Sequence, residues 1–192
     1  MIKTNFINLN EAKSGQIDFK EKGKYLVFFH NLSGRFIFEI IASGVELYIF
    51  GLFTGKGDDQ FRIETIQRHI APRSTSNLLI KGVFEDRAKL IYQGLIRIEK
   101  SGQKSHAYQK NQNLLLSDGA FVESRPFLEI LANDVYCTHG STTGRLNQDQ
   151  LLYIQSRGLN SDKAEKLLVT GFIAEIHDRV RAQYPDFQPS AL

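Results

Sequence analysis

Residues 35–53, RFIFEIIASGVELYIFGLF, hold two runs of aromatic and β-branched residues on either side of Ser43 and Gly44. Short apolar runs bounded by turn residues read as β-strands. The same pattern precedes this stretch at YLVFFH (25–30), which ends at Asn31, Ser33 and Gly34. It continues at FRIETIQRHI (61–70), NLLIKGVF (77–84), KLIYQGLIRIE (89–99), NLLLSDGAFV (113–122) and FLEILANDVYC (127–137). No helical period lies between these runs. Short strands with turn signals about every 8–12 residues predict an all-β sandwich, barrel or solenoid.

One detail favours the solenoid. NLLIKGVF and NLLLSDGAF both open on Asn-Leu-Leu, 36 residues apart, and a charged step and a second apolar strand follow each. Stacked β-coils would produce such a repeat, because each coil buries its inward side chains only against its neighbours. Pro126 at a strand start is compatible with this reading.

The pattern turns helical after residue 146. Asn147 is a good N-cap, and Gln150 completes a capping-box-like pair. The first helix ends at Gly158, a natural C′ residue. Asn160 or Ser161 opens the next, with Asp162 in the first turn, where the dipole favours an acid. Leu168, Phe172, Ile176 and Val180 recur along one face, broadened by Leu167 and Ile173. That stripe must cover the end of the β stack or a partner protein, and the pattern alone favours the end of the stack. Gly171, inside this helix, suggests close approach of another backbone, or more plainly a packing contact within the same domain. The boundaries are a β core over 1–146, with 1–60 the least defined part, a helical region over 147–183 and a tail over 184–192.

The totals set limits. A chain of 192 residues is one domain, or one domain with an appendage. It is 42% hydrophobic and 23% charged, as a folded soluble protein is; only PDFQPSAL at the end reads as loosely ordered. The net charge of +3 is scattered among acids rather than gathered in a stripe, so nucleic acid is not an expected partner. A single cysteine excludes an internal disulfide and a Cys-only zinc site and fits a reducing compartment. No signal peptide is read at the start, and no stretch approaches the roughly 18 apolar residues of a membrane span. The expected location is the cytoplasm.

Few motifs carry chemistry. GLFTGKGDD (51–59) fails as a phosphate loop, because Gly51 and Gly55 are one residue too close and Gly57 stands where a hydroxyl is needed. HGSTTG (139–144) lacks the strand-turn-helix setting of a nucleophile elbow. His69 and His106 read as satisfied strand or turn residues. That leaves Cys137 and His139. On an extended segment, residues two apart face the same side. Thiolate and imidazole are both good ligands for iron or zinc, and a nearby imidazolium would favour the thiolate. The plainer reading is a packed cysteine beside a turn.

The chain also resembles the SufB/SufD family, the scaffold components of the Suf iron–sulfur cluster assembly system. The resemblance rests on motifs in order: HIAPRSTSNLLIKGVF (69–84), QKNQNLLLSDGAFVESRPFLEILANDVYCTHGSTTGRL (109–146) and DQLLYIQSRGL…AEKLLVTGF (149–172). It covers roughly residues 65–183. The resemblance implies a right-handed parallel β-helix followed by a C-terminal two-helix region. It implies a non-enzymatic scaffold subunit that pairs with a second β-helix subunit, SufB-like or another copy of itself. It implies docking of a SufC-type ATPase on the helices, for which Leu151, Leu152, Gly158, Leu168, Gly171 and Phe172 are the candidates. Within the family the Cys-x-His-Gly turn is SufD-like, so Cys137 and His139 become candidate residues for a transient iron–sulfur cluster. The chain departs from the family in length, about half the usual, and at His106, where an acid is expected. One Cys and one His cannot fill the roughly four ligand positions of a cluster, so any cluster would be shared across a subunit interface. The competing expectations are an assembly module without a cluster site, in which Cys137 is merely packed, and a polysaccharide-binding solenoid. The latter would need a row of exposed aromatics and acids, which the scattered acids do not supply.

Overall fold

The computed structural model describes residues 3–11 and 15–188. The described chain runs through strands β1 (Thr4–Asn8), β2 (Gln16–Phe19), β3 (Gly23–His30), β4 (Gly34–Ile40), β5 (Val45–Gly55) and β6 (Gln60–His69). Strands β7 (Thr75–Phe84), β8 (Lys89–Ile98), β9 (His106–Leu115), β10 (Phe121–Ile130) and β11 (Tyr136–Gly144) follow, then helices α1 (Gln148–Ser156) and α2 (Ser161–Gln183). Odd strands form one sheet in the order β1-β3-β5-β7-β9-β11, and even strands form the other, β10-β8-β6-β4-β2. The pairs along both sheets are parallel. The chain thus lays one strand in each sheet per coil and climbs: a parallel β-solenoid with two helices, as the sequence leads one to expect.

Two faces of the strands are buried, for different reasons. Inward residues of the odd strands (Val27, Phe29, Ile49, Phe53, Ile80) meet inward residues of the even strands (Phe38, Ile40, Ile63, Leu90, Tyr92) in one core. Gly51 sits in register with Phe29 and leaves the space its ring fills; a side chain there would collide with that ring. Many outward residues of β3, β5 and β7 are also apolar. Leu26, Phe28, Phe50, Leu52, Leu79 and Val83 pack against Ile173, Ile176 and Val180 of α2. The helix therefore lies along the outer face of the six-stranded sheet, not over the end of the stack. The reason is visible in β5, whose run is apolar at nearly every position, as a strand covered on both sides must be.

Other expectations are corrected. The Asn-Leu-Leu repeat is not the coil repeat: Asn77 is in register with Tyr108, whereas Asn113 stacks on Gly82. Glu46 sits against Thr75, Thr75 against His106 and His106 against Tyr136, so a coil takes about 30 residues. The runs read at 113–122 and 127–137 each straddle a turn between strands. Gly171 is not a close-approach site, since nothing lies within 4 Å of where its Cβ would be. Of the predicted stripe, Leu168 and Phe172 are only half-buried and Leu167 is exposed, while Ala164 is buried. In the tail, Phe187 is buried against Phe28, with ring centroids 4.8 Å apart; residues 189–192 lie outside the described chain.

The helix caps follow the sequence. The Asn147 side chain accepts from the Gln150 N–H and that of Asn160 from the Lys163 N–H, 3.0 Å in each case. Gly158, at φ +96°, takes the left-handed turn that a side chain disfavours.

The interior becomes polar along the axis. Gln67, His69, Ser74, Ser76, Ser105, Gln109, Asn111 and Asn113 are all buried. His69 is fully satisfied: its Nδ1 bonds Ser74 Oγ at 2.8 Å and its Nε2 bonds Ser76 Oγ at 2.7 Å. Burial holds its pKa down to about 4, so the ring is neutral.

Two stability predictions follow from this packing. Ile176→Ala empties a site between α2 and the sheet and should cost about 2–5 kcal/mol, whereas exposed Leu167→Ala should stay within about 0.5 kcal/mol. Urea unfolding of both variants checks this, and equal effects would place the helix elsewhere. The second concerns pH. Unfolded His69 titrates near about 6.5 and folded His69 near about 4. Between those values the unfolded chain takes up a proton that the folded chain refuses, so stability falls as pH falls. His69 should contribute no loss well above pH ~6.5 and about 3 kcal/mol of loss by pH ~4. Comparing urea unfolding across that window with His69→Gln isolates the slope; identical slopes would contradict it.

Candidate functional site

A solenoid strand is covered by the coil before it and the coil after it. Strand β11 has only the first, since it pairs with β9 alone at the edge of its sheet. Strand β10 likewise ends the other sheet. Cys137 is in register with Ala107, and His139 with Gln109, both buried inward positions. Cys137 and His139 therefore face the solenoid axis, side by side, on the last strand. The expectation that residues two apart emerge on one side is met.

Their surroundings differ. Cys137 is half-buried and packs with the apolar group of Ile96, Ile98, Ala107 and Ala132. Burial pushes its thiol pKa up, and a backbone hydrogen bond with Ala107 only partly opposes this. The thiolate is thus disfavoured in the isolated chain, contrary to the expectation of activation by an imidazolium. His139 is exposed. His106 does not join the pair: it is in register with Tyr136 on the outward side, with ring centroids 6.0 Å apart. Among the described residues no group of three or more His, Cys, Asp or Glu is placed to hold a metal ion.

The last coil carries an exposed apolar rim, part of it on the outward face, that sequence reasoning missed. Leu128 sits inward on Ile96 but is 41% exposed, because no further coil covers it. Phe121, Phe127, Leu131 and Tyr136 are exposed as well. Their signal in the sequence is ordinary strand apolarity; only the topology shows that they are the last coil. Below His139, the buried Gln109 amide has no partner at either polar atom. At the opposite end, Leu9 in a short 3₁₀ turn (Leu9–Glu11) is buried against the core. Among the described residues, the first coil buries Leu9 while the last leaves Leu128 exposed.

The six helical candidates do not form one class. Phe172 faces inward: its backbone carbonyl accepts from Lys81 Nζ at 2.8 Å, and that ammonium lies 4.0 Å from its ring centroid. Leu151 and Leu168 are half-buried. Leu152, Gly158 and Gly171 are exposed. Tyr153 and Leu167, which the sequence reading did not select for docking, join Leu152 as the exposed large apolar side chains of the helices.

Comparison with known proteins gives this geometry its context. The model of the family described as SUF system FeS cluster assembly, SufBD core domain, matches residues 29–172. The chain is 36% identical over 106 residues to the iron–sulfur cluster assembly protein SufD of Escherichia coli, covering 55% of this chain and 25% of that protein. It is 34% identical over 122 residues to SufD of Bacillus subtilis, covering 64% and 28%. With a SufBD family protein of Synechocystis it shares 36% identity over 109 residues, covering 57% and 24%. The chain thus spans about a quarter of the length of these relatives. No helix among the described residues is long and apolar enough to cross a membrane. A parallel solenoid carrying Cys-x-His-Gly on its last strand, with the family match running from β3 into α2, leads to one conclusion: the chain belongs to the SufBD family of iron–sulfur cluster assembly proteins.

Proposed function

We propose that this chain is a SufD-like scaffold subunit, non-enzymatic and cytoplasmic, whose open coil end pairs with a second β-helix subunit. A cluster in assembly is its cargo. The observation that carries this reading is the uncapped last coil, which turns Cys137 and His139 toward the axis on the same exposed coil as Leu128. A partner that continues the stack would bury the rim and pair the free edge of β11 through its backbone. It would also bring ligands to the two that this chain supplies, about half of the number that a cluster needs. The partner is a longer SufB-like chain or a second copy of this one. A SufC-type ATPase would dock on the helices, where Leu152, Tyr153 and Leu167 offer apolar contact.

A second reading has its own support. Cys137 is packed among apolar residues with its thiol pKa raised, which suits an assembly module with no cluster site.

Two experiments separate these readings. Anaerobic affinity purification from the native host, with partners identified by mass spectrometry, should recover a Suf-type ATPase and a β-helix partner. Recovery of the chain alone would remove the scaffold role. In the recovered complex, Cys137→Ala should abolish iron and acid-labile sulfide while the partners remain; unchanged metal content would leave the assembly module standing. Pairing itself is tested at the rim. Leu128→Glu, which buries a charge in the joined stack, should cost about 3 kcal/mol or more of association, beyond a hundredfold in affinity. A complex that survives it would not use this end.

A further inference from the structure

We propose that the trough between the last turns of α2 and the outer face of β5, β7 and β9 is a binding site for a nucleoside phosphate. The site lies on the opposite side of the sheet from Cys137, so it does not rest on the scaffold reading.

The trough lies between Arg179, Ala182 and Gln183 of α2 and the outer face of these strands. Phe50 and Leu79 are buried in the group that includes α2. Two residues earlier on the same outward face, Tyr48, Asn77 and Tyr108 stand in one register row across β5, β7 and β9. Lys110 follows Tyr108 by two on that face, and Arg179 lines the trough from α2. The cavity they enclose measures about 440 Å³, within the range of small-molecule sites.

Several of its polar groups have no partner among the described residues. The Tyr48 and Tyr108 hydroxyls, the Asn77 carboxamide and the Lys110 ammonium make no hydrogen bond or ion pair with other described residues, although Lys24 stands over the Tyr48 ring at 5.4 Å. Charge is unbalanced in the same place. Lys81 and Arg179 share the single carboxylate of Glu175, and Lys110 has none. Three cations against one carboxylate leave an excess of two positive charges. The partial charge at the C-terminal end of α2, about half of one negative charge, does not cancel it.

The chemistry that fits is anionic at one end and flat at the other. A phosphate would sit between Lys110 and Arg179, where charge-assisted bonds are strongest. An aromatic base would lie against Tyr48 and Tyr108, which stack bases without regard to sequence. Asn77 offers both a donor and an acceptor for the base edge. The neighbouring depression beyond Tyr48 and Tyr108 is lined by Glu46, which would repel a continuing phosphate backbone. The ligand is therefore a single nucleotide, not a strand.

The test uses the full chain and AMP, adenosine and inorganic phosphate as probes in isothermal titration. AMP should bind, with adenosine and phosphate each weaker by about tenfold or more, the scale of one lost charge-assisted contact. Lys110→Gln should weaken AMP about tenfold and leave adenosine unchanged, whereas Tyr108→Ala should weaken both. Circular dichroism confirms that the variants fold. Independently of any variant, AMP should protect Lys110, but not the surface Lys100, from acetylation read by mass spectrometry. No AMP binding at millimolar concentration, phosphate binding as tightly as AMP, or no protection of Lys110 would overturn the proposal.

Discussion

A coil of a solenoid can bury its inward side chains only against another coil, and this constraint governs the molecule. At the N-terminal end Leu9, in the turn after β1, is buried against the core and meets it. At the C-terminal end no residue of the described chain does so. Leu128, Cys137 and His139 point inward with nothing beyond them. Exposed apolar side chains on an inward face, such as Leu128, are costly while no further coil covers them.

A second constraint concerns the face that α2 covers. Lys81, on the outward side of β7, has a side chain only 1% exposed. Its ammonium is held by the Phe172 carbonyl, the face of the Phe172 ring and the Glu175 carboxylate. Burial lowers its pKa and Glu175 opposes that. A buried charge of this kind adds little net stability over an apolar residue, but losing its partner is expensive. It therefore fixes where the helix sits more than how tightly. The apolar contacts of Ile173, Ile176 and Val180 supply the attraction, and Lys81 supplies the register.

The strands that were legible in the sequence are those with apolar interiors. β3 to β8 could be read because most of their inward positions are apolar, and in β5 nearly every position is. β9 could not, since HAYQKNQNLL points Ala107, Gln109, Asn111 and Asn113 inward. A polar interior removes the alternation by which a strand is recognised. The same polarity misled the repeat, because Asn113 was matched to Asn77 by letter although the two face opposite sides of the sheet. The facing of Cys137 and His139 followed from strand geometry alone. That theirs is the last strand did not, since the edge of a sheet is a property of the whole chain. Nor did the trough beside α2, which depends on where the helix packs across the strands.

The terminal strand is also where the two halves of the molecule join. Only Arg145, Leu146 and Asn147 separate the end of β11 from the start of α1. The tie from that connection to the β9–β10 loop, Arg145 to Asp118, joins exposed groups, and such pairs hold weakly. α2 is held elsewhere, by β3, β5 and β7. A pull on α1 would therefore be borne first by β11, which is paired along one edge only, while the coils under α2 stay packed. Local opening should start where backbone pairing and apolar cover are least. The strand that carries Cys137 and His139 meets both conditions, and a partner that continued the stack would remove both at once.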